Sequence, residues 1–247
     1  MGARTLRAVL IGRGNVATRL GQALREAGHE VIAVGGRTRT APIPQDADVY
    51  VIAVSDRSIA AVAGELAGVQ GLVVHTAGSV PMDVLPQRRR GVLYPLQTLS
   101  KGRQVDFARV PLFIESDSDL PLLQELASSI SRSVHVLDSE RRRHIHLAAV
   151  FCSNFTNAMY SMAHRLLEAE GIPFEVLLPL IDETAAKVHD LTPHEAQTGP
   201  AVRWDTEVMQ AQQALLPDET MRQAYRLISN YIHDDKLRFD KDKGAAL

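Results

Sequence analysis

The chain carries one cysteine, Cys152, in 247 residues, so no disulfide can close within it. It has no excess of positive charge. The formal net charge is −2, which gives no electrostatic footprint for nucleic acid or an anionic membrane. No signal sequence precedes the first apolar run, "LRAVLIG", which is too short to span a bilayer, so the cytoplasm is the expected location. Metal-ligand spacing is missing as well. There is no HExxH or CxxC pattern, and His144 and His146 stand two apart, on different faces of a helix, so no metal site is expected. No internal repeat or low-complexity tract is visible.

What is present is alternation. "RAVLIG" is a continuous apolar run suited to a strand buried on both faces. "NVATRLGQALREAGH" follows as a helix that Gly28 stops. "EVIAVGG", "DADVYVIAVSD", "GLVVHTAGS", "VPLFIES" and "SVHVL" read as further strands, with helices in "RSIAAVAGELAG" and "DLPLLQELASSIS". Strands alternating with helices predict an α/β domain with a parallel, doubly wound sheet. From Ser139 the texture becomes helical throughout, with Ser139 as N-cap and Gly171 as C-cap of a helix of about thirty residues. The expected organisation is an α/β domain over residues 1–138 and an all-α domain over 139–247, the last residues charged and frayed.

"LIGRGNVATRL" places Gly12-x-Gly14-x-x-Ala17 directly after a strand and at the start of a helix. In that context the pattern is the fingerprint of Rossmann-type dinucleotide binding. Gly12 permits the turn, Gly14 lets the backbone approach a pyrophosphate, and Asn15 and Val16 open the helix whose positive end faces that anion. An acid at the end of the second strand would hold the ribose 2′-hydroxyl of NAD. Here the place reads "VGGRTRT", so Gly36, Arg37 and Thr38 suit a 2′-phosphate, and NADP is the expected cofactor. Ala53, Val54 and Ser55 end the third strand at the ligand crevice. His75, Ala77 and Gly78, in "HTAGS", end the fourth beside the expected nicotinamide. Two readings of His75 stay open, a structural one and one that orients substrate or donates a proton.

On "GRGNVA", "DVYVIAVSD", "HTAGSV", "YPLQTLSK", "HLAAVFCSNFTNAMY" and "EAQTGPAVRWD" the chain resembles, over nearly its whole length, a bacterial family of Rossmann-like proteins. These carry a C-terminal helical domain of unknown function and are generally labelled NADP oxidoreductases. The family looks like a relative of pyrroline-5-carboxylate reductase, ketopantoate reductase and the deazaflavin-dependent NADP reductases, within the 6-phosphogluconate dehydrogenase C-terminal-like group. The resemblance implies an oxidoreductase acting on a small-molecule substrate and a homodimer built through the helical domain. The β-hydroxyacid dehydrogenases of this group place a catalytic lysine on the long helix, one turn before an asparagine. If Asn154 is that asparagine, Val150 stands where the lysine would be.

Several residues can take over the chemistry. On an α-helix His146, Val150, Ser153 and Asn157 share a face, with Asn154 beside it. His146 can move protons near neutral pH, and Lys187 is a second source. The amides of Asn154 and Asn157 either grip substrate or bond between helices. Tyr94 and Gln97, from a loop in "YPLQTLS", and Gln197, Thr198 and Arg203, in "QTGPAVR", are candidate substrate contacts. Arg203 would clamp a carboxylate, which makes a small anionic metabolite the expected substrate. All are expected to converge on a cleft between the domains. Two alternatives remain: a non-catalytic NADP(H)-binding sensor or assembly protein, and an enzyme with a flavin or deazaflavin as co-substrate.

Overall fold

The computed structural model describes residues 4–35 and 42–245, and Gly36, Arg37 and Thr38 lie outside the described residues. Seven strands form one sheet: β1 (Arg7–Ile11), β2 (Glu30–Val34), β3 (Val49–Ile52), β4 (Leu72–His75), β5 (Arg90–Pro95), β6 (Leu112–Ser116) and β7 (Val134–Val136). Their spatial order is β2-β1-β3-β4-β5-β6-β7. Pairing is parallel everywhere except between β5 and β6, which run antiparallel. The expected parallel sheet is found, with that one antiparallel pair. β5 is a correction, since Tyr94, expected in a loop, lies in this strand. Its apolar core is only Val92 to Tyr94, set between basic residues and a proline.

The strands are apolar on both faces because both are covered. Leu10, Val51, Val74 and Leu93 join one core with Leu20 and Leu24 of helix α1 (Asn15–Glu26) and Leu123 and Leu126 of α3 (Leu120–Ile130). The alternate residues Val9, Ile11, Tyr50 and Ile52 join a second core with Ile59 and Val62 of α2 (Ile59–Gly64). A side-chain period of two thus sends successive residues of one strand into different cores. This is the doubly wound, Rossmann-type α/β arrangement.

The chain divides into two compact units, Met1–Asn154 and Phe155–Leu247. The first therefore extends past Asp138 and includes α4 (Ser139–Ala149). The cap of α4 is Asp138, whose side chain accepts from the Arg141 N–H at 2.8 Å; Ser139, expected there, is the first helical residue. Ser139 instead donates to the Glu115 carboxylate and accepts from the Met82 N–H at 2.9 Å. Arg142, which has no exposed surface, pairs with Glu115 on β6 and donates to the carbonyl of Val80. These bonds fix the first turn of α4 to the sheet.

The second unit contains α5 (Thr156–Ala169), α6 (Leu178–Asp190), α7 (Pro193–Ala196), α8 (Pro200–Arg203), α9 (Thr206–Ala214) and α10 (Glu219–Ala245). No strand occurs among its described residues. Gly171 takes φ 68° and ends α5, as its sequence position predicts. The last helix runs on to Ala245, through the segment expected to fray.

Removing one partner of a buried ion pair strands the other in low dielectric. Arg142→Ala is expected to cost about 3 kcal/mol, read from the denaturant midpoint. The Arg142→Ala/Glu115→Ala double variant should lose less than the sum of the two single changes.

Candidate active site

The turn from β1 into α1 is set by contact with β3. Gly12 takes φ 146°, and a Cβ there would lie 2.1 Å from the Ala53 carbonyl oxygen. Only glycine fits. Ala17 comes next, its Cβ 3.4 Å from the same point, so helix and strand pack closely. Gly14 is the N-cap of α1 and no side chain caps the helix there; a Cβ on Gly14 would meet nothing within 4 Å. The first-turn N–H groups thus face open space, the arrangement that receives a phosphate.

That space is a groove of about 560 Å³. Gly12, Gly14, Asn15, Val16, Ala53, Val54 and Ser55, all expected at the cofactor, line it. Arg13, Thr76 and Leu99 line it too and were not expected. At the end of β4 the expectation is corrected by parity. Thr76 faces the groove, while Ala77 packs into the core on the α2 side. His75 is fully buried, accepts from the Ala77 N–H at Nδ1 (3.2 Å) and faces the Pro81 carbonyl through Nε2 (3.3 Å). Both ring nitrogens are occupied, so His75 shapes the turn. Burial, and secondarily the charge of Arg142, push its pKa down to about 4, so it is neutral.

Gly78 is the floor of a different feature. A Cβ on it would lie 2.6 Å from Nδ1 of His146 and 2.8 Å from Cζ of Tyr94. Tyr94 ends β5 on the same edge of the sheet and is nearly buried, and its hydroxyl lies 2.9 Å from His146 Nδ1. Burial raises the Tyr94 pKa, with the nearby Arg142 charge acting in the opposite direction. The two rings meet edge to face at 5.8 Å. Beside them opens a cavity of about 680 Å³, lined also by Gln97, Val150, Cys152, Ser153 and Asn154. The lining includes no Asp, Glu, Lys or Arg. Gln97 lines both this cavity and the groove. The loop that carries it is tied to α1 by Arg19, whose guanidinium donates to the carbonyls of Ser100 (3.0 Å) and Lys101.

The wall of the cavity is not α-helical. Val150–Phe155 form a π-helical segment between α4 and α5, so the predicted uninterrupted helix is corrected there. A π turn accommodates more residues than an α turn and shifts the phase of everything beyond it. His146, Val150 and Ser153 still share the cavity, and Asn154 joins them. Asn157 lies past the segment, in the second unit, exposed. Lys187 is half-buried on α6; Gln197, Thr198 and Arg203 are also in the second unit. Gly199, at φ 110°, precedes Pro200, and Arg203 is exposed at the end of α8. Among the described residues no group of three His, Cys, Asp or Glu can hold a metal, and no helix is long and apolar enough to cross a membrane.

Residues 110–232 match the model of a domain of unknown function, DUF2520. A candidate NADP oxidoreductase from Bacteroides fragilis shares 40% identity with the chain, covering 93% of it and 98% of that protein, with a TM-score of 0.87. The chain belongs to that protein's family. A reductive aminase from Aspergillus terreus, solved with NADPH and ethyl levulinate, has a TM-score of 0.68 at 15% identity, covering 94% of this chain and 95% of that one. An imine reductase from Myxococcus stipitatus, solved with NADP+, has a TM-score of 0.61 at 16% identity, covering 96% and 94%. At these identities the likeness is one of fold. No curated protein matches in sequence.

His75 also makes stability depend on pH. Its folded pKa of about 4 lies below the ordinary imidazole value of 6.5, so the unfolded chain takes up the proton first as the solution is acidified. This contribution is full above pH ~6.5 and is lost as pH falls towards ~4, by at most about 3 kcal/mol. Denaturant midpoints measured across that window should fall for the native chain and fall less steeply for His75→Asn.

Proposed function

We propose that the chain is an NADP-dependent oxidoreductase acting on a carbonyl or imine, with Tyr94 as the proton donor in the direction of reduction. The observation that carries this reading is the shared wall: Gln97 borders both the dinucleotide groove and the cavity that holds Tyr94 and His146. The groove fits a dinucleotide because Gly12 admits the Ala53 carbonyl and Gly14 leaves the helix terminus open. Two points support NADP over NAD: the Bacteroides relative's assignment, and glycine at position 35, after β2, where an acid would hold the 2′-hydroxyl. The bound cofactor supplies a hydride; the protein's own task is to hold the substrate and manage one proton.

Tyr94 is suited to that task. Its raised pKa keeps it a phenol, and a phenol donates to the oxygen or nitrogen that gains charge when the neighbouring carbon is reduced. His146 contacts the hydroxyl through Nδ1 and, in the Nδ1–H tautomer, donates a hydrogen bond to it, which leaves the phenol's own proton for the substrate. The positive charge of Arg142 favours the phenolate that remains. Asn154, Ser153 and Gln97 are the neutral groups available to hold the substrate. The anionic substrate expected from Arg203 finds no Lys or Arg in this lining, and a neutral reacting group suits it better. A non-catalytic NADP(H) binder is the weaker reading, because it leaves the Tyr94–His146 pair without a use.

Tyr94→Phe is expected to lower kcat by about a hundredfold or more with little change in NADPH affinity. Substrates can be found by following label loss from stereospecifically deuterated NADPH against a panel of aldehydes, ketones and imines. Undiminished turnover in Tyr94→Phe would remove the tyrosine from the reaction. No transfer of label to any carbonyl or imine would favour the binder.

The same reading includes a homodimer through the second unit. Among that unit's described residues only Ala201, Met209, Met221 and Ser229 are buried, while Leu180, Leu215, Leu227 and Tyr231 are each more than 60% exposed. Helices with so little core need a further apolar surface against them. Sedimentation should give about twice the 27.1 kDa chain mass, and Leu227→Arg with Tyr231→Glu should shift it towards the single chain.

A further inference from the structure

We infer that Arg13 binds the 2′-phosphate of the dinucleotide, and that position 35 is glycine to give the guanidinium its place; this rests on the NADP reading above. Gly35 follows the last residue of β2. A Cβ on it would lie 2.8 Å from Nη2, 3.0 Å from Nε and 3.1 Å from Cζ of Arg13. The Nε and Nη2 side of the guanidinium is therefore the part that lies closest to the glycine. The backbone does not require glycine there, since the described glycines with positive φ are Gly12, Gly28, Gly171 and Gly199. What the missing Cβ leaves is room, since a side chain there would push the end of Arg13 out of this place.

The location gives the contact its meaning. The end of the second strand is where dinucleotide folds read the ribose: an acid there accepts from a 2′-hydroxyl and repels a 2′-phosphate. In this chain the volume that such an acid would fill holds a cation from the glycine-rich turn. Arg13 lines the groove together with Gly12 and Gly14 and is exposed, so a phosphate can reach it. Among the described residues no carboxylate is paired with it. A guanidinium offers a planar fork to phosphate oxygens and a flat face to adenine, which lysine does not match. Arg13 would act separately from Arg37 and Thr38, so the preference for NADP does not depend on those residues alone.

Dissociation constants for NADPH, NADH, 2′,5′-ADP and 5′-AMP, measured by calorimetry on the full chain, test this without any turnover. Arg13→Ala is expected to weaken NADPH and 2′,5′-ADP at least tenfold and to change NADH and 5′-AMP less than threefold. Arg13→Lys should recover part of the loss. Gly35→Asp, which puts a carboxylate where the guanidinium packs, should reverse the order of NADPH and NADH. Equal losses for all four ligands in Arg13→Ala, or no loss, would overturn the assignment. A native chain that binds both dinucleotides equally would overturn it too, while leaving the dinucleotide groove intact. If neither dinucleotide binds, both readings fall.

Discussion

A single buried cation holds the candidate site in place. Arg142 has no exposed surface, and isolated charges of that kind are strongly disfavoured in a protein interior. It is tolerated because Glu115 supplies the opposite charge and the Val80 carbonyl and Ser139 hydroxyl take further hydrogens. Those partners come from β6, from the segment after β4 and from the first turn of α4. One side chain therefore registers a helix against two separate parts of the sheet. One turn further along α4, His146 is set over Gly78 and against Tyr94, where even a methyl group on the glycine would collide. The same charge reaches two titrating groups. It helps keep His75 neutral and offsets part of the rise that burial imposes on Tyr94.

The sequence shows most of the first unit because its constraints are local. Strands buried on both faces must be continuously apolar, and a glycine facing a carbonyl at 2.1 Å cannot be replaced, so "RAVLIG" and Gly12 can be read directly. Features set by distant partners are not legible in this way. The apolar part of β5 is only Val92 to Tyr94, preceded by arginines and followed by a proline, and its pairing with β4 and β6 is what makes it a strand. Tyr94 therefore looked like a loop residue. His75 and Ala77 were placed at the cofactor because the end of β4 was read as a block. Strand parity would have selected Thr76 instead. Arg142 is hidden within "SERRRH", where it resembles its solvated neighbours. Arg13 occupies a variable place in the Gly12-x-Gly14 pattern, and its contact with Gly35 exists only once β1 and β2 are side by side.

The π-helical segment explains why reading this region as one α-helix reached only part of the way. A spacing of 4, 3 and 4 residues predicts one face only if every residue turns by the same angle. Val150–Phe155 do not keep that angle, so the predicted set ends at Ser153 in the cavity and Asn154 takes the place intended for Asn157. A π segment forms despite its poorer backbone geometry and is often found where side chains must be re-aimed. Here it presents Cys152, Ser153 and Asn154 together to one space.

The proposed proton donor follows from the same geometry. With valine at position 150, the long helix offers no lysine at the place the hydroxyacid dehydrogenases use. In the proposed reaction β5 supplies the proton instead. A tyrosine at the end of a central strand is held by backbone pairing on both sides, which positions its hydroxyl more firmly than a long, flexible lysine could be held. The penalty is acidity, because a nearly buried phenol releases its proton reluctantly. That reluctance matters less when the accepting atom becomes strongly basic, as a carbonyl oxygen or imine nitrogen does once hydride reaches its carbon. A site with this donor should therefore favour substrates whose reduction generates a basic atom within reach of Tyr94, and should be poor at reactions that need a strong acid before hydride arrives.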